Sequence, residues 1–198
     1  MHTFLCSRRS VRRFQARKVD LDVLNRVLKT SLHAPSAHNR QPWRFAVLSN
    51  PDTKKQLADR MSAEFRADLV QEGLATAEIE TRIERSKNRI NNAPVVIVLC
   101  MDLSEMDAYP DTRRQQAETT MAIQSVAMAG LQLLLAAHAE GLGAVWTCGP
   151  LFAPIVVKTA LSLPDNWSPQ ALLLLGYPAE TPKEKKIKNF RDVVMFID

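Results

Sequence analysis

Apolar residues recur at helical spacing over several stretches of the chain. Asp20 can serve as an N-cap, and the apolar positions that follow it, from Leu21 to Leu32, lie three or four residues apart, which predicts a helix. This helix should end before Pro35, because the residue before a proline disfavours the helical conformation. The same spacing predicts helices over residues 52–72, 76–91, about 113–140 and 154–161.

Two of these predicted helices have unusual surfaces. From Met121 onward, the helix over 113–140 is apolar around much of its circumference, so it should be buried against several elements or another subunit. Polar residues interrupt its apolar run, and we expect that run to fall short of a membrane span. The helix over 76–91 is highly charged with a thin apolar stripe, which favours a surface element covering a site.

Short apolar runs predict four strands. "VVIVLCM", Val95–Met101, is β-branched and apolar on both faces, which is typical of a central strand. The other strands are expected over 45–48, 144–147 and 171–175. Helices and strands interleave in an irregular order, which indicates the α+β class. The chain ends in the apolar "VVMFID", and we expect this tail to pack on something, such as a partner chain.

Length and composition predict one globular domain spanning residues 1–198, with 46% hydrophobic and 24% charged residues. Cys6, Cys100 and Cys148 lie far apart, so the sequence predicts neither a disulfide scaffold nor a metal site and favours a reducing compartment. The N-terminal arginines are not followed by an apolar segment, and we therefore expect no secretory signal. We expect a cytoplasmic protein that is not bound to a membrane.

Positive charge is concentrated in two regions. Residues 1–60 carry 13 Lys/Arg and 4 Asp/Glu, and a second cluster near the C-terminus contains Lys183, Lys185, Lys186, Lys188 and Arg191. Such clusters suit an anionic partner, although a solvated surface gives the same pattern. Nucleic acid is disfavoured as that partner, because aromatic residues are only 6% of the chain and do not alternate with basic residues.

The segment "SRRSVRRF", residues 7–14, has the composition of a phosphate site. Guanidinium groups match phosphate oxygens bidentately, and a serine hydroxyl can donate another hydrogen bond. An exposed basic arm is the alternative interpretation. The chain contains neither GxGxxG nor G-K-[ST], which argues against a Rossmann dinucleotide site and an ATP site.

The segment "APSAHNRQPWRF", residues 34–45, follows the first predicted helix and is rich in amide and guanidinium groups. Asn and Gln amides carry both donors and acceptors, so they can meet the edge of a planar polar ring. Trp43 is interpreted as a core anchor, and His38 as a solvated residue unless a ligand lies beside it.

Taken together, "RRSVRRF", "APSAHNRQPWRF", "GLGAVW", "LLLLGYPAE" and the basic tail "KIKNFRDVV" resemble the FMN-dependent nitroreductase family, in the family's order and over nearly the whole chain. The resemblance implies an α+β fold with a central, mainly antiparallel sheet flanked by helices. It also implies an intertwined homodimer with one FMN at each subunit interface, in which the arm 183–198 wraps the partner subunit.

The resemblance assigns cofactor-binding roles by position. The FMN phosphate would be held by Arg8, Ser10 and Arg12 with help from Arg9, and a second time by Lys186 and Lys188, although Asn189 replaces the family's usual proline. The flavin ring would be lined by Pro35, Ser36, Ala37 and Asn39, with Gln41 nearby. A backbone N–H from the stretch Thr147, Cys148 and Gly149 would face the ring, where many relatives have Glu-Gly.

The implied activity is ping-pong electron transfer from NAD(P)H through FMN to a small organic acceptor, such as a nitroaromatic or a quinone. No catalytic side chain is needed, because the flavin carries the chemistry. The alternatives are an enzyme of cofactor biosynthesis, related either to deazaflavin or to dimethylbenzimidazole formation from FMN, and a flavin-binding protein without turnover.

Overall fold

The computed structural model describes residues 1–182 and 185–197, and its centre is a four-stranded sheet. The strand order is β1-β2-β4-β3, and all neighbouring strands are antiparallel. The strands are β1 (Trp43–Leu48), β2 (Val95–Asp102), β3 (Gly143–Thr147) and β4 (Trp167–Gly176). The predicted α+β class with an antiparallel sheet is confirmed.

Helices cover both faces of this sheet. They are α1 (His2–Ser7), α2 (Leu21–Ser31), α3 (Pro51–Gln71), α4 (Thr76–Asn91), α5 (Thr112–Ala139) and α6 (Pro154–Leu161). Because side chains alternate along a strand, Ile97 and Leu99 of β2 pack with α2 and α5, whereas Val96 and Val98 pack with α3 and α6. All eight residues of β2 are buried, which confirms the prediction of a central strand.

Helix α5 is only partly covered by the rest of the chain. Ala122, Val126 and Leu133 are buried against the sheet, but Leu131 remains 50% exposed and Ile123 45% exposed. By length and composition, with a mean hydropathy of 1.5 over 18 residues, α5 could cross a membrane, so the expectation that its apolar run is too short was wrong. Half of that window is buried inside the domain, as in the core helix of a globular protein.

The last strand is longer than the sequence predicted. We expected Ala171–Leu175, but β4 begins at Trp167 and contains Pro169. The pairing between β2 and β4 shifts at Leu99/Cys100, so Gln170 is an extra residue on β4. A bulge of this kind admits a proline inside a sheet, because the ladder is already interrupted there.

The N-terminal segment extends the sheet beyond β3. Ser10 forms a parallel bridge with Ala144, and Phe14 forms an antiparallel bridge with Pro178. Helix α1, which precedes this segment, was not predicted. It has six residues and no buried side chain, so it carries no amphipathic pattern that the sequence analysis could detect.

Candidate functional site

The arginine-serine segment is held along the open edge of β3. Val11 is buried, and its backbone N–H donates to the Ala144 carbonyl at 3.0 Å, whereas Ser10 and Arg12 on either side are exposed. The approach is close because Gly143 has no side chain: a Cβ there would lie 2.7 Å from Val11 Cβ. The packing of Val11 therefore directs the neighbouring polar side chains outward.

The first cleft at this edge brings four of the predicted phosphate ligands together. Arg8, Arg9, Ser10 and Arg12 line a cleft of about 430 Å³ with Lys185 and Glu180. Lys185 comes from the C-terminal tail and was not predicted as a ligand. Lys186 and Lys188 lie further along the exposed tail, and their phosphate role stays a prediction. Lys183, Glu184 and Asp198 of the predicted arm lie outside the described residues.

A larger cleft of about 1580 Å³ continues from Arg12 toward the end of α4. Arg12 shares its wall with Arg85, Asn88 and Arg89. Burial, followed by repulsion from Arg12 and Arg85, lowers the pKa of Arg89. Among the residues that the structure describes, no carboxylate forms an ion pair with these three arginines, so the cleft holds uncompensated positive charge.

Two further groups in the larger cleft make it suited to a polar ligand. Lys54 is buried, its Nζ donates to the Ala93 carbonyl at 2.6 Å, and burial lowers its pKa. Asn91 Oδ1 is buried without a hydrogen-bond partner in the described part of the chain. A ligand that combines anionic oxygens with a ring N–H would meet the arginines and this acceptor.

The contribution of α4 to this site was not predicted from the sequence. The charged helix was interpreted as a cover, because the polar face of an amphipathic helix has the same pattern whether it meets solvent or lines a cleft. The signal that could have found these residues is their position: Arg85 and Arg89 are four apart, hence on one face, just before the central strand β2.

The predicted ring-binding loop is built from unusual backbone conformations. His38, Asn39 and Gln41 have φ values of 50°, 54° and 50°, in the left-handed region, where non-glycine residues cost about 1–2 kcal/mol each. Local hydrogen bonds hold the loop. The Gln41 backbone N–H donates to Ser36 Oγ at 3.1 Å, and the Ala37 backbone N–H donates to Ser125 Oγ of α5 at 3.1 Å.

The third predicted segment follows the end of β3. Cys148 is exposed, and the indole Nε1 of Trp146 donates to its sulfur at 3.1 Å. Thr147 Oγ1 donates to the Leu172 carbonyl at 3.3 Å. A Cβ at Gly149 would lie 3.1 Å from Met61 Cε, so the backbone here is already closely covered on that side.

The structure does not bring all three segments together within one chain. Ser10 is level with Val95, and Pro42 is level with Asp102, a difference of seven residues or ~23 Å along the strands. Ser10 and Pro42 also lie at opposite edges of the sheet, four strand spacings or ~19 Å apart. Cys148, by contrast, is only four residues or ~13 Å along β3 from the partner of Ser10.

A comparison of the chain with known families finds one match over most of its length: the family model described as "Nitroreductase family" matches residues 5–177. The chain belongs to the nitroreductase family, an oxidoreductase family.

Individual relatives give more detail. The chain is 32% identical over 202 residues to an NADH dehydrogenase of Thermus thermophilus, covering 90% of this chain and 86% of the relative. A BluB-like flavoprotein from Clostridium difficile 630 shares the fold at a TM-score of 0.83 and 22% identity, covering 100% of this chain and 98% of the other. The NADPH:FMN oxidoreductase from Vibrio harveyi, complexed with NAD⁺, does so at a TM-score of 0.74 and 18% identity, covering 100% and 76%.

Proposed function

We propose that the protein is an FMN-dependent oxidoreductase that passes electrons from NAD(P)H to a small organic acceptor, such as a nitroaromatic or a quinone, in a ping-pong reaction. The observation that carries the proposal is the pair of joined basic clefts that meet at Arg12. Relatives whose names include an NADH dehydrogenase and an NADPH:FMN oxidoreductase support the same class.

The residues of the clefts fit FMN in two parts. Arg8, Ser10 and Arg12 form the end suited to a phosphate, where forked guanidinium donors give charge-assisted hydrogen bonds. Arg89 and Asn91 form the end suited to the polar edge of the flavin ring. Bound FMN would supply the hydride and electron chemistry.

The chain itself supplies binding, orientation and charge. Positive side chains fixed near the ring would stabilise negative charge that develops there on reduction, and Arg12, Arg85 and Arg89 provide such charge without any rearrangement. We assign the role to these three arginines because they face one cleft.

We further propose that the working unit is a homodimer. If the arginine segment and the loop before β1 hold one flavin, they must come from two chains, because within one chain they lie at diagonally opposite corners of the sheet. Two apolar surfaces are available for the contact. One is the exposed face of α5, and the other is the tail, where Ile187 is 80% and Met195 82% exposed.

The location and remaining partners follow from the same reasoning. We propose a cytoplasmic enzyme whose basic surface serves a phosphorylated cofactor, with no nucleic-acid or membrane partner. The cleft geometry favours this use of the charge, since the arginines of both clefts line concave surfaces and not a flat one.

The experiment is to purify the protein, record its visible spectrum and identify any released flavin. The apoprotein is then titrated with FMN, and turnover of NADH and NADPH is followed with a quinone or a nitroaromatic. Replacing both Arg8 and Arg12 with Ala should weaken FMN binding by about 1.5–3 kcal/mol per lost charge-assisted contact. Arg82→Ala, which removes a surface ion pair with Glu78 elsewhere, is the matched control.

Several outcomes would overturn parts of the proposal. Folded protein that is colourless and takes up no FMN would refute the cofactor. A double arginine variant with unchanged affinity would refute the phosphate assignment. Consumption of at most one equivalent of NAD(P)H per flavin would indicate a flavin store, and product analysis with FMN and oxygen would reveal an enzyme that fragments its flavin.

A further inference from the structure

The loop before β1 contains one residue, Gln41, in a conformation that the following proline disfavours. Gln41 has a φ of 50°, and it precedes Pro42. A proline disfavours helical conformations at the residue before it and favours extended ones, so the left-handed conformation of Gln41 is unfavourable twice. Such a conformation persists only where surrounding contacts impose it.

The contacts on Gln41 converge from both sides of its peptide. Its N–H donates to Ser36 Oγ at 3.1 Å, and its side-chain Nε2 donates to Asn39 Oδ1 at 3.2 Å. Its carbonyl oxygen accepts from Arg44 Nη1 at 3.1 Å. The first two contacts lie inside the loop and would move with it, whereas the Arg44 side chain connects Gln41 to strand β1.

Arg44 is itself held by a buried carboxylate at the end of β2. Arg44 Nη2 lies 2.9 Å from Asp102 Oδ2, and the Asp102 side chain is only 4% exposed. The same carboxylate accepts from Ser104 N at 2.9 Å and from Asn166 Nδ2 at 3.1 Å. The Asp102 backbone N–H also donates to the Pro42 carbonyl at 2.8 Å, so one residue fixes both the arginine and the carbonyl group of the residue after Gln41.

Arg44, held by Asp102, donates to the Gln41 carbonyl. We therefore propose that Arg44 and Asp102 are positioning residues that hold Gln41, and with it Asn39, in the left-handed conformation required for flavin binding. Neither residue was a predicted site residue. The inference rests on the proposed function, in which the loop lines the flavin ring of the partner subunit's cleft. Arg44 and Asp102 act through the loop and do not touch the cofactor.

A double-mutant cycle with glycine tests this role. Arg44→Gln should weaken FMN binding to the apoprotein about tenfold, the loss expected when one charge-assisted hydrogen bond is removed. Glycine adopts positive φ without a steric penalty, so Arg44→Gln in a Gln41→Gly background should change FMN affinity less than about twofold. A purely structural role at the sheet would give the same loss in both backgrounds, and that result would overturn the proposal.

Hydrogen exchange of the apoprotein provides a second readout that does not depend on flavin. In Arg44→Gln, the amides of residues 39–41 should exchange faster, with strand β2 unchanged. Arg26→Gln, which removes the surface pair to Glu140 at 2.8 Å, is the matched control and should leave the loop amides unaffected. Unchanged exchange at 39–41 in Arg44→Gln would also overturn the proposal.

If the unaltered protein binds no FMN, the function is refuted, while the exchange measurement still decides whether Arg44 holds the loop. If Arg44→Gln does not fold, Asp102→Asn replaces it, since this variant keeps the shape of the side chain while it removes the charge and turns one acceptor oxygen into a donor. Asp102→Asn should speed exchange at the same amides.

Discussion

Gly143→Ala should displace the arginine-serine segment while leaving the rest of the fold in place. The new Cβ would lie 2.7 Å from Val11 Cβ and Cγ1 and 2.8 Å from Cγ2. Carbon atoms normally approach to about 3.5–4.0 Å, so a gap of roughly 1 Å must open between β3 and the segment. Overpacking of this kind costs about 1–3 kcal/mol, which corresponds to a fall in Tm of roughly 2–12 °C for a chain of this size.

The same displacement should weaken FMN binding, because Ser10 and Arg12 flank Val11 and move with it. Tm is measured by calorimetry of the apoprotein, and affinity by the change in flavin fluorescence. In a Val11→Ala background two of the three close atoms are gone, so the added methyl group should cost less in both assays. Gly73→Ala, where no atom lies within 4 Å, should lower Tm through its φ of 73° without altering FMN affinity. A Gly143→Ala protein with unchanged Tm and FMN affinity would refute the reasoning.

Three further predictions concern charge and assembly. Arg89→Gln should weaken FMN binding but raise the Tm of the apoprotein, since it relieves repulsion from the neighbouring arginines. A variant in which both the FMN affinity and the Tm of the apoprotein fall would contradict this. Leu131→Lys on the exposed face of α5 should give monomers by sedimentation, and so should deletion of residues 183–198, whereas an intact dimer in either case would exclude that surface. Burial alone would raise the pKa of Asp102, but hydrogen bonds from Ser104 and Asn166 and the Arg44 charge outweigh it and lower that pKa. Its stabilisation is therefore present above the unfolded-state value and is lost as the pH falls through the lowered pKa, so Asp102→Asn should lower Tm at neutral pH, with a difference that shrinks below about pH 4.

The elements with strong periodicity could be predicted from the sequence. Helix α4 was placed at 76–91, as observed, and α3 and α5 were each placed within one residue at both ends. Strand β2 was recognised because it is apolar on both faces. By contrast, β4 was predicted too short, because the proline and polar residues at its start belong to a bulge that depends on pairing with β2.

The site was predictable where one segment of sequence makes one surface. Arg8, Ser10 and Arg12 could be grouped because guanidinium and hydroxyl groups lie within five residues, a composition that suits one phosphate. The structure brings them to one cleft, and their role as phosphate ligands stays a prediction. Arg85 and Arg89 could be placed on one face of α4 but could not be assigned to this cleft, since their approach to Arg12 brings together segments that are distant in sequence. Arg44 and Asp102 could not be assigned from the sequence either, because Arg44 has the pattern of an ordinary strand residue and Asp102 that of the residue that ends a strand.

The pairing of the N-terminal segment with the far end of the chain has a consequence for biosynthesis. Val11 binds Ala144, Gln15 binds Tyr177, and Arg13 accepts a hydrogen bond from Ala179. During translation residues 11–15 are made before their partners at positions 144, 177 and 179, so they can gain these hydrogen bonds only after those later residues have been made. Truncated chains that stop before residue 143 would lack the edge on which the arginines are displayed, so capture of the cofactor should be among the last events in making this protein.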